Sequence, residues 1–375
     1  MSFTGRVFFT GLGLVLLIGL ALPAAAGAGP ARAGPALEST PAPILIDSVP
    51  MSNAACLECH GDPAMLLPLP SGELVSLAVD RIEYGTSVHG QLGYACVQCH
   101  TDITGFPHSE TGDQEARDMT IRMSGVCGDC HPGAREEYEM GGHAALLADG
   151  RKEAAVCADC HGAHSTEQFS AGRTAIAQAC QQCHSGIYDA YAASIHGESL
   201  LNEFNVDVPT CVDCHDSHNN TGPTTEGFHV RSPNLCATCH ADEELMSKYD
   251  INTNVFDTYI ADFHGTTVSI FERTSPDQET NKPACIDCHG VHDIQSPEDT
   301  DSTVYKQNLL VTCQRCHIDA TTNFSDSWLS HYVPDAENFT IVWLVDRFYK
   351  IFIPATLGGM AVFVVTDFWR SRIRK

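Results

Sequence analysis

The chain has 375 residues, 43% of them hydrophobic, with 19 prolines, 30 glycines and a formal net charge of −26. That apolar share permits a packed core, the prolines and glycines call for many turns, and the charge excludes a nucleic-acid binder that must neutralise phosphates. Residues 34–340 hold 13 Lys and Arg against 45 Asp and Glu, so a protein partner should present a basic face.

In chain order, residues 1–26 read as a secretory signal: Arg6, then the apolar stretch Val7–Leu22, then small residues that offer cleavage after Ala26. The same stretch is long enough to remain as an uncleaved anchor. Either way the body is exported. Residues 27–52 are a linker, and 53–335 form the cysteine-rich body. Residues 336–350 lead to the apolar segment IFIPATLGGMAVFVVTDFW, 351–369, which spans about 28 Å as a helix and predicts one transmembrane segment. Arg370, Arg372, Arg374 and Lys375 follow as a basic tail at 370–375, which places the C-terminus in the cytoplasm and the body on the periplasmic or extracytoplasmic side of the cytoplasmic membrane. Ala355 and Gly359, four residues apart, would let a second membrane helix approach closely.

All 18 cysteines fall in C-x-x-C pairs, and each pair is followed directly by histidine. The nine motifs are CLECH (Cys56, Cys59, His60), CVQCH (Cys96, Cys99, His100), CGDCH (Cys127, Cys130, His131), CADCH (Cys157, Cys160, His161), CQQCH (Cys180, Cys183, His184), CVDCH (Cys211, Cys214, His215), CATCH (Cys236, Cys239, His240), CIDCH (Cys285, Cys288, His289) and CQRCH (Cys313, Cys316, His317). This is the attachment signature of c-type haem: two thioethers hold one porphyrin edge, and the histidine is aimed at the iron as its proximal ligand. Structural zinc would take two C-x-x-C pairs per ion and would not need a histidine after each. A disulfide framework would not need it either. The expected cofactor is therefore nine covalently attached haems c.

Nine haems leave little more than 30 residues each. The porphyrins must supply much of the apolar core, so the expected fold is mostly α with extensive coil and almost no strand. Segments 136–150, with a break at Gly141–Gly142, and 188–197 read as short helices. The motifs alternate. CADCHGAH, CVDCHDSH and CIDCHGVH carry a second histidine three residues on, and CVQCH carries a looser one at His108; the others carry one further along, often before glycine. The body is thus one half-unit plus four two-haem units.

His164 cannot reach the far face of the haem held by His161, because three residues span at most about 10 Å. It either serves a different haem or serves none and bonds a propionate; three occurrences at the same offset favour the distal ligand of a neighbouring haem. Of 19 histidines nine are proximal, and ten remain for nine distal positions. The distal candidates are His89, His108, His143, His164, His196, His218, His264, His292 and His331. His229 is left over, with the choice between His108 and His229 open, and Met51, Met119 and Met123 lie near motifs as alternative axial ligands. Six-coordinate irons leave no place for a substrate, which favours an electron conduit and no catalytic residue. One open haem would instead make a reductase of nitrite, hydroxylamine or tetrathionate.

The alternation of C-x-x-C-H-x-x-H with a later His-Gly, over residues 56–331, resembles the multihaem c-type cytochromes of the cytochrome c3-like and NapC/NrfB-like superfamily. From SHYVPDAENF through the apolar segment, the chain is similar to anchored multihaem subunits that pair with a membrane cytochrome b in quinone-linked complexes. That resemblance implies a cytochrome b-type or other quinone-interacting partner and periplasmic or outer-surface redox proteins. NapC-type proteins have an N-terminal anchor and fewer haems, so oxidation of quinol by this chain itself is not implied.

Overall fold

The computed structural model describes residues 52–109, 111–167, 172–222, 225–278, 280–328, 331–337 and 339–373. The expected signal and Met51 lie outside them. Short helices joined by long loops make up the body, and the only strands among the described residues are a hairpin pairing Leu66–Pro68 with Leu74–Ser76 in antiparallel register. The two segments read as interrupted helices resolve into Pro132–Glu139 then Gly142–Ala148, and Ser185–Ala192 then Ile195–Leu201.

Small residues are prominent among the buried side chains. Ser87, Ser124, Ser194, Thr210, Ser232, Ala177 and Ala284 are buried beside Leu200, Val230 and Val268, and most cysteines are partly exposed. A peptide packed on itself would bury larger side chains.

Seven of the motifs, the second to the eighth, lie on or at the end of short helices that pack on one another. The helix Ala116–Cys130 packs on Cys157–His161, Arg173–Gln181 on Cys211–His215, and Phe228–His240 on Cys285–His289; Cys96–Cys99 also meets Ala116–Cys130.

The C-terminal helix runs from Thr340 to Ile373, 34 residues, with an apolar window long enough to cross a membrane and no buried residue. It starts eleven residues before the apolar segment, so Pro354 falls in its interior and not in its first turn. Proline has no N–H, so the carbonyl of Lys350, four residues before Pro354, lacks its helical bond, a loss that membrane helices tolerate.

Candidate functional site: paired imidazoles and adjoining thiols

Each motif histidine faces a second imidazole from a distant part of the chain. Ring centroids are 6.1 Å apart for His60 and His108, 6.0 Å for His100 and His164, and 6.1 Å for His131 and His89. They are 6.2 Å apart for His161 and His218, 6.2 Å for His184 and His143, and 5.9 Å for His215 and His292. The last three are His240 and His196 at 6.1 Å, His289 and His331 at 6.2 Å, and His317 and His264 at 6.2 Å. A metal-bound imidazole nitrogen sits about 2 Å from its ion, with the ring centroid about 1 Å beyond, so two imidazoles on opposite sides of one iron have centroids about 6 Å apart.

The second nitrogens support that spacing. Nδ1 of His60 lies 2.8 Å from Leu77 O, that of His108 2.8 Å from Gly105 O, and that of His215 2.6 Å from Thr221 O. Nδ1 of His143 meets Asn220 Oδ1 at 3.0 Å and that of His218 meets Glu137 Oε2 at 3.0 Å. A partner on Nδ1 fixes the ring and leaves Nε2 for a metal. Burial pushes the imidazole pKa down at His89, His100, His143, His161, His164, His240, His292 and His331, and to about 4 at His196 and His289. Burial thus favours the neutral form of those rings, the form that can bind a metal.

The two histidines left open by the sequence part company here. His108 faces His60, whereas Nε2 of His229 lies 2.7 Å from Asp287 Oδ2. Asp287 is the residue after the first two of CIDCH, and its carboxylate also accepts the Ala284 amide at 2.7 Å, capping the motif helix. Asp159 and Asp213 hold the same place in CADCH and CVDCH, accepting from Val156 and Thr210 at 2.7 Å each. Their partners are Arg117 at 2.8 Å and Arg173 at 2.5 Å. His229 therefore occupies the place of an arginine in the repeat. Met119 and Met123 sit on the helix Ala116–Cys130, and each motif histidine already has an imidazole opposite it.

A second repeated device sets four of the facing histidines. Tyr84, Tyr138, Tyr191 and Tyr259 each precede His89, His143, His196 and His264 by five residues. Each phenol donates to the carbonyl two residues before the next motif: Tyr94 O at 2.7 Å, Ala155 O at 2.9 Å, Pro209 O at 2.7 Å and Pro283 O at 3.0 Å. In three of the four a side chain two residues before the histidine caps the new helix: Ser87 accepts from the Gly90 amide, Ser194 from Gly197 and Asp262 from Gly265. Those glycines are required by crowding. A Cβ would lie 1.8 Å from Tyr84 O at Gly90, 1.8 Å from Tyr191 O at Gly197 and 2.1 Å from Tyr259 O at Gly265. The spacing Tyr-x-x-x-x-His was visible in the sequence and would have found this device; its carbonyl partners were not.

The facing histidines follow a rule of exchange. The histidine after an odd-numbered motif goes forward to the next odd motif: His89 to the third, His143 to the fifth, His196 to the seventh and His264 to the ninth. Those after the fourth, sixth and eighth motifs go back to the preceding even motif: His164 to the second, His218 to the fourth and His292 to the sixth. Main-chain bonds hold the two arms together, from Val88 N to Thr166 O at 2.9 Å, Gly142 N to Asn219 O at 3.3 Å and Ile195 N to Ile294 O at 2.9 Å. At the ends, where no further unit exists to donate, His108 turns back to the first motif and His331 to the eighth.

Residues 82–162 match the family model of cytochrome c7 and related cytochrome c, and residues 150–241 match that of cytochrome c3. No curated protein and no solved structure matches the chain. Over residues 82–241 the chain is thus similar to multihaem cytochromes of the c3-like kind, families that imply covalently bound haem c.

Proposed function

We propose that the chain is a membrane-tethered electron carrier with nine haems c. Each would be held by the two cysteines of one motif and ligated by one of the nine imidazole pairs described above. The single observation that carries this is the constancy of the imidazole spacing, 5.9 to 6.2 Å at all nine motif histidines, met by side chains from distant parts of the chain. Haem c supplies one-electron chemistry when bound. The residues do the rest. The cysteine pairs would hold each group, the facing imidazoles would ligate its iron, and the Nδ1 partners keep those rings oriented. With an imidazole on each side no iron would be open to a substrate, so carriage of electrons and not catalysis is the function these residues support.

The apolar helix Thr340–Ile373 fits a single-pass anchor. With it, the acidic body would lie on the extracytoplasmic side and exchange electrons between a quinone-linked, cytochrome b-type membrane partner and periplasmic or extracellular acceptors. The test is the intact mass of the denatured protein, with electron paramagnetic resonance of the oxidised form. Nine haem additions, low-spin signals throughout and no carbon monoxide binding by the reduced protein are expected. Fewer than nine additions, or a high-spin haem that binds carbon monoxide, would overturn the proposal.

A further inference from the structure

The sequence does not say how nine sites are arranged in space, and the thiols do. Asn53, in the helix of the first motif, accepts from Cys96 N at 2.9 Å and from Cys96 Sγ at 3.2 Å, the helices of the third and fourth, fifth and sixth, and seventh and eighth motifs pack on each other, and in each of these four pairs the two first cysteines lie close together. These contacts join motifs one and two, three and four, five and six, seven and eight. The second cysteines supply the links between. Cys99 and Cys130 are within Coulombic reach, as are Cys160 and Cys183, Cys214 and Cys239, and Cys288 and Cys316. All eight consecutive pairs of motifs are thereby connected, first cysteine to first cysteine within a pair, and between pairs through the second cysteine of the earlier motif, which lies near both cysteines of the next. The imidazoles agree: His60 lies near His100, His131 near His161 and His240 near His289.

Each thiol carries a porphyrin edge once the group is attached, so adjoining thiols mean adjoining edges. We infer that the nine ligand sets form one unbranched file in sequence order, with the site of His60 and His108 at the outward end and the sites of His289 and His317 at the membrane end. This rests on the nine-haem reading above and adds to it which site exchanges electrons with which side.

Two observations place the ends. His331, which faces His289, is nine residues before Thr340, where the membrane helix starts, and nine residues reach at most about 30 Å. The site of His317 and His264 beside it is ringed by exposed aromatics: Trp328 lies 6.1 Å from the His264 ring and Phe324 5.0 Å from His317. That apolar collar suits an integral-membrane redox partner. The opposite end is different. The His60 site has the exposed Phe106 against its partner His108, and Glu58 and Asp62 beside it in the sequence, which suit a soluble acceptor with a basic face.

The test uses the full-length holoprotein in nanodiscs. A cryo-electron microscopy map of the nine irons should show each nearest to those of the adjacent motifs, with the His60 iron farthest from the lipid. An iron nearer to one from a non-adjacent motif, or the His60 iron at the lipid surface, would overturn the order. The second arm is the His108→Ala variant, reduced, with and without carbon monoxide. Carbon monoxide on the opened iron should slow oxidation by a basic soluble cytochrome several-fold; an equal rate would remove the outward exchange site from His60. A haem count below nine in the wild type would instead fail the nine-haem reading, and is measured separately by mass.

Discussion

His164 faces His100, 6.0 Å away and two motifs back, and not the histidine three residues before it. CADCHGAH is therefore two half-sites on one short stretch: His161 belongs to the fourth site and His164 to the second. The His164→Ala variant should open the second iron and leave the fourth low-spin. One high-spin haem is expected by electron paramagnetic resonance. Adding Cys96→Ser and Cys99→Ser, which remove the second haem, should abolish that signal, whereas Cys157→Ser and Cys160→Ser should not. The reverse pattern would return His164 to its own motif.

His229 and His108 give opposite expectations. His229 stands where Arg117 and Arg173 stand in the neighbouring repeats, on the aspartate that caps a motif helix. Both partners are part exposed, so His229→Ala should cost about 1 kcal/mol or less of stability and leave every haem low-spin. His229→Arg should restore the loss. His108→Ala should yield a high-spin haem at little change in melting temperature. Spectra and thermal melts of the three variants decide it.

Much of this was legible in the sequence, and the reason is chemical. A haem needs two thiols and a histidine at fixed spacing, so the motifs are local and visible. The alternation of near and far histidines, the helix break at Gly141–Gly142 and the need for His164 to leave its own motif were visible for the same reason. Which imidazole meets which was not, because the exchange is set by contacts between remote segments such as Ile195 with Ile294. His229 shows the limit most clearly. By composition it is one more histidine, and only the place of Asp287 marks it as a substitute for arginine.

Gly197 tests the support beneath a facing histidine. A Cβ there would lie 1.8 Å from Tyr191 O, so Gly197→Ala must move the helix that carries His196. Overpacking of this kind costs about 1–3 kcal/mol. Loss of the Tyr191 hydroxyl in Tyr191→Phe should cost about 1 kcal/mol, since Pro209 O loses its donor. Both should weaken the His240 site, seen as a shift of one haem toward high spin. Gly186→Ala, where nothing lies within 4 Å, should leave it alone.

Acid should loosen the first site before the others. Arg122 bonds Asp113 at 2.9 Å and Asp102 at 3.2 Å, one on each side of His108 in the loop that carries it. Its hydrogen bond to Asp113, with a smaller one from Thr111, holds that carboxyl below its ordinary value. A depressed carboxylate contributes stability that is present above the unfolded pKa near 4 and lost as pH falls through the lower folded value. A low-pH titration should therefore release His108 below about pH 4, and Asp113→Asn should remove that step at a cost of about 1–2 kcal/mol, since Arg122 is about a third exposed. Unchanged acid behaviour in Asp113→Asn would assign the step elsewhere.

The exchange rule makes the units separable in pairs and in no other way. Consider removal of residues 166–219, one whole unit, joining Ser165 to Asn220. The deletion takes the fifth and sixth motifs together with His196 and His218. The seventh motif loses His196, but His143, which served the fifth, is now one unit behind it and takes its place. The fourth motif loses His218, and His292, freed from the sixth, is now one unit ahead. Every remaining histidine has a partner, and the Tyr138 device still precedes an intact motif. In a repeat whose units touch only their neighbours, such a deletion preserves each interface. The expected product has seven haems, all low-spin, and binds no carbon monoxide. Deleting only the fifth motif, Arg173–His184, should instead leave His143 without a site and break the alternation of thiol contacts, giving a protein that loses haem or fails to accumulate. If the whole-unit deletion fares no better than the single-motif one, the ligand exchange is not the principle that holds the chain together.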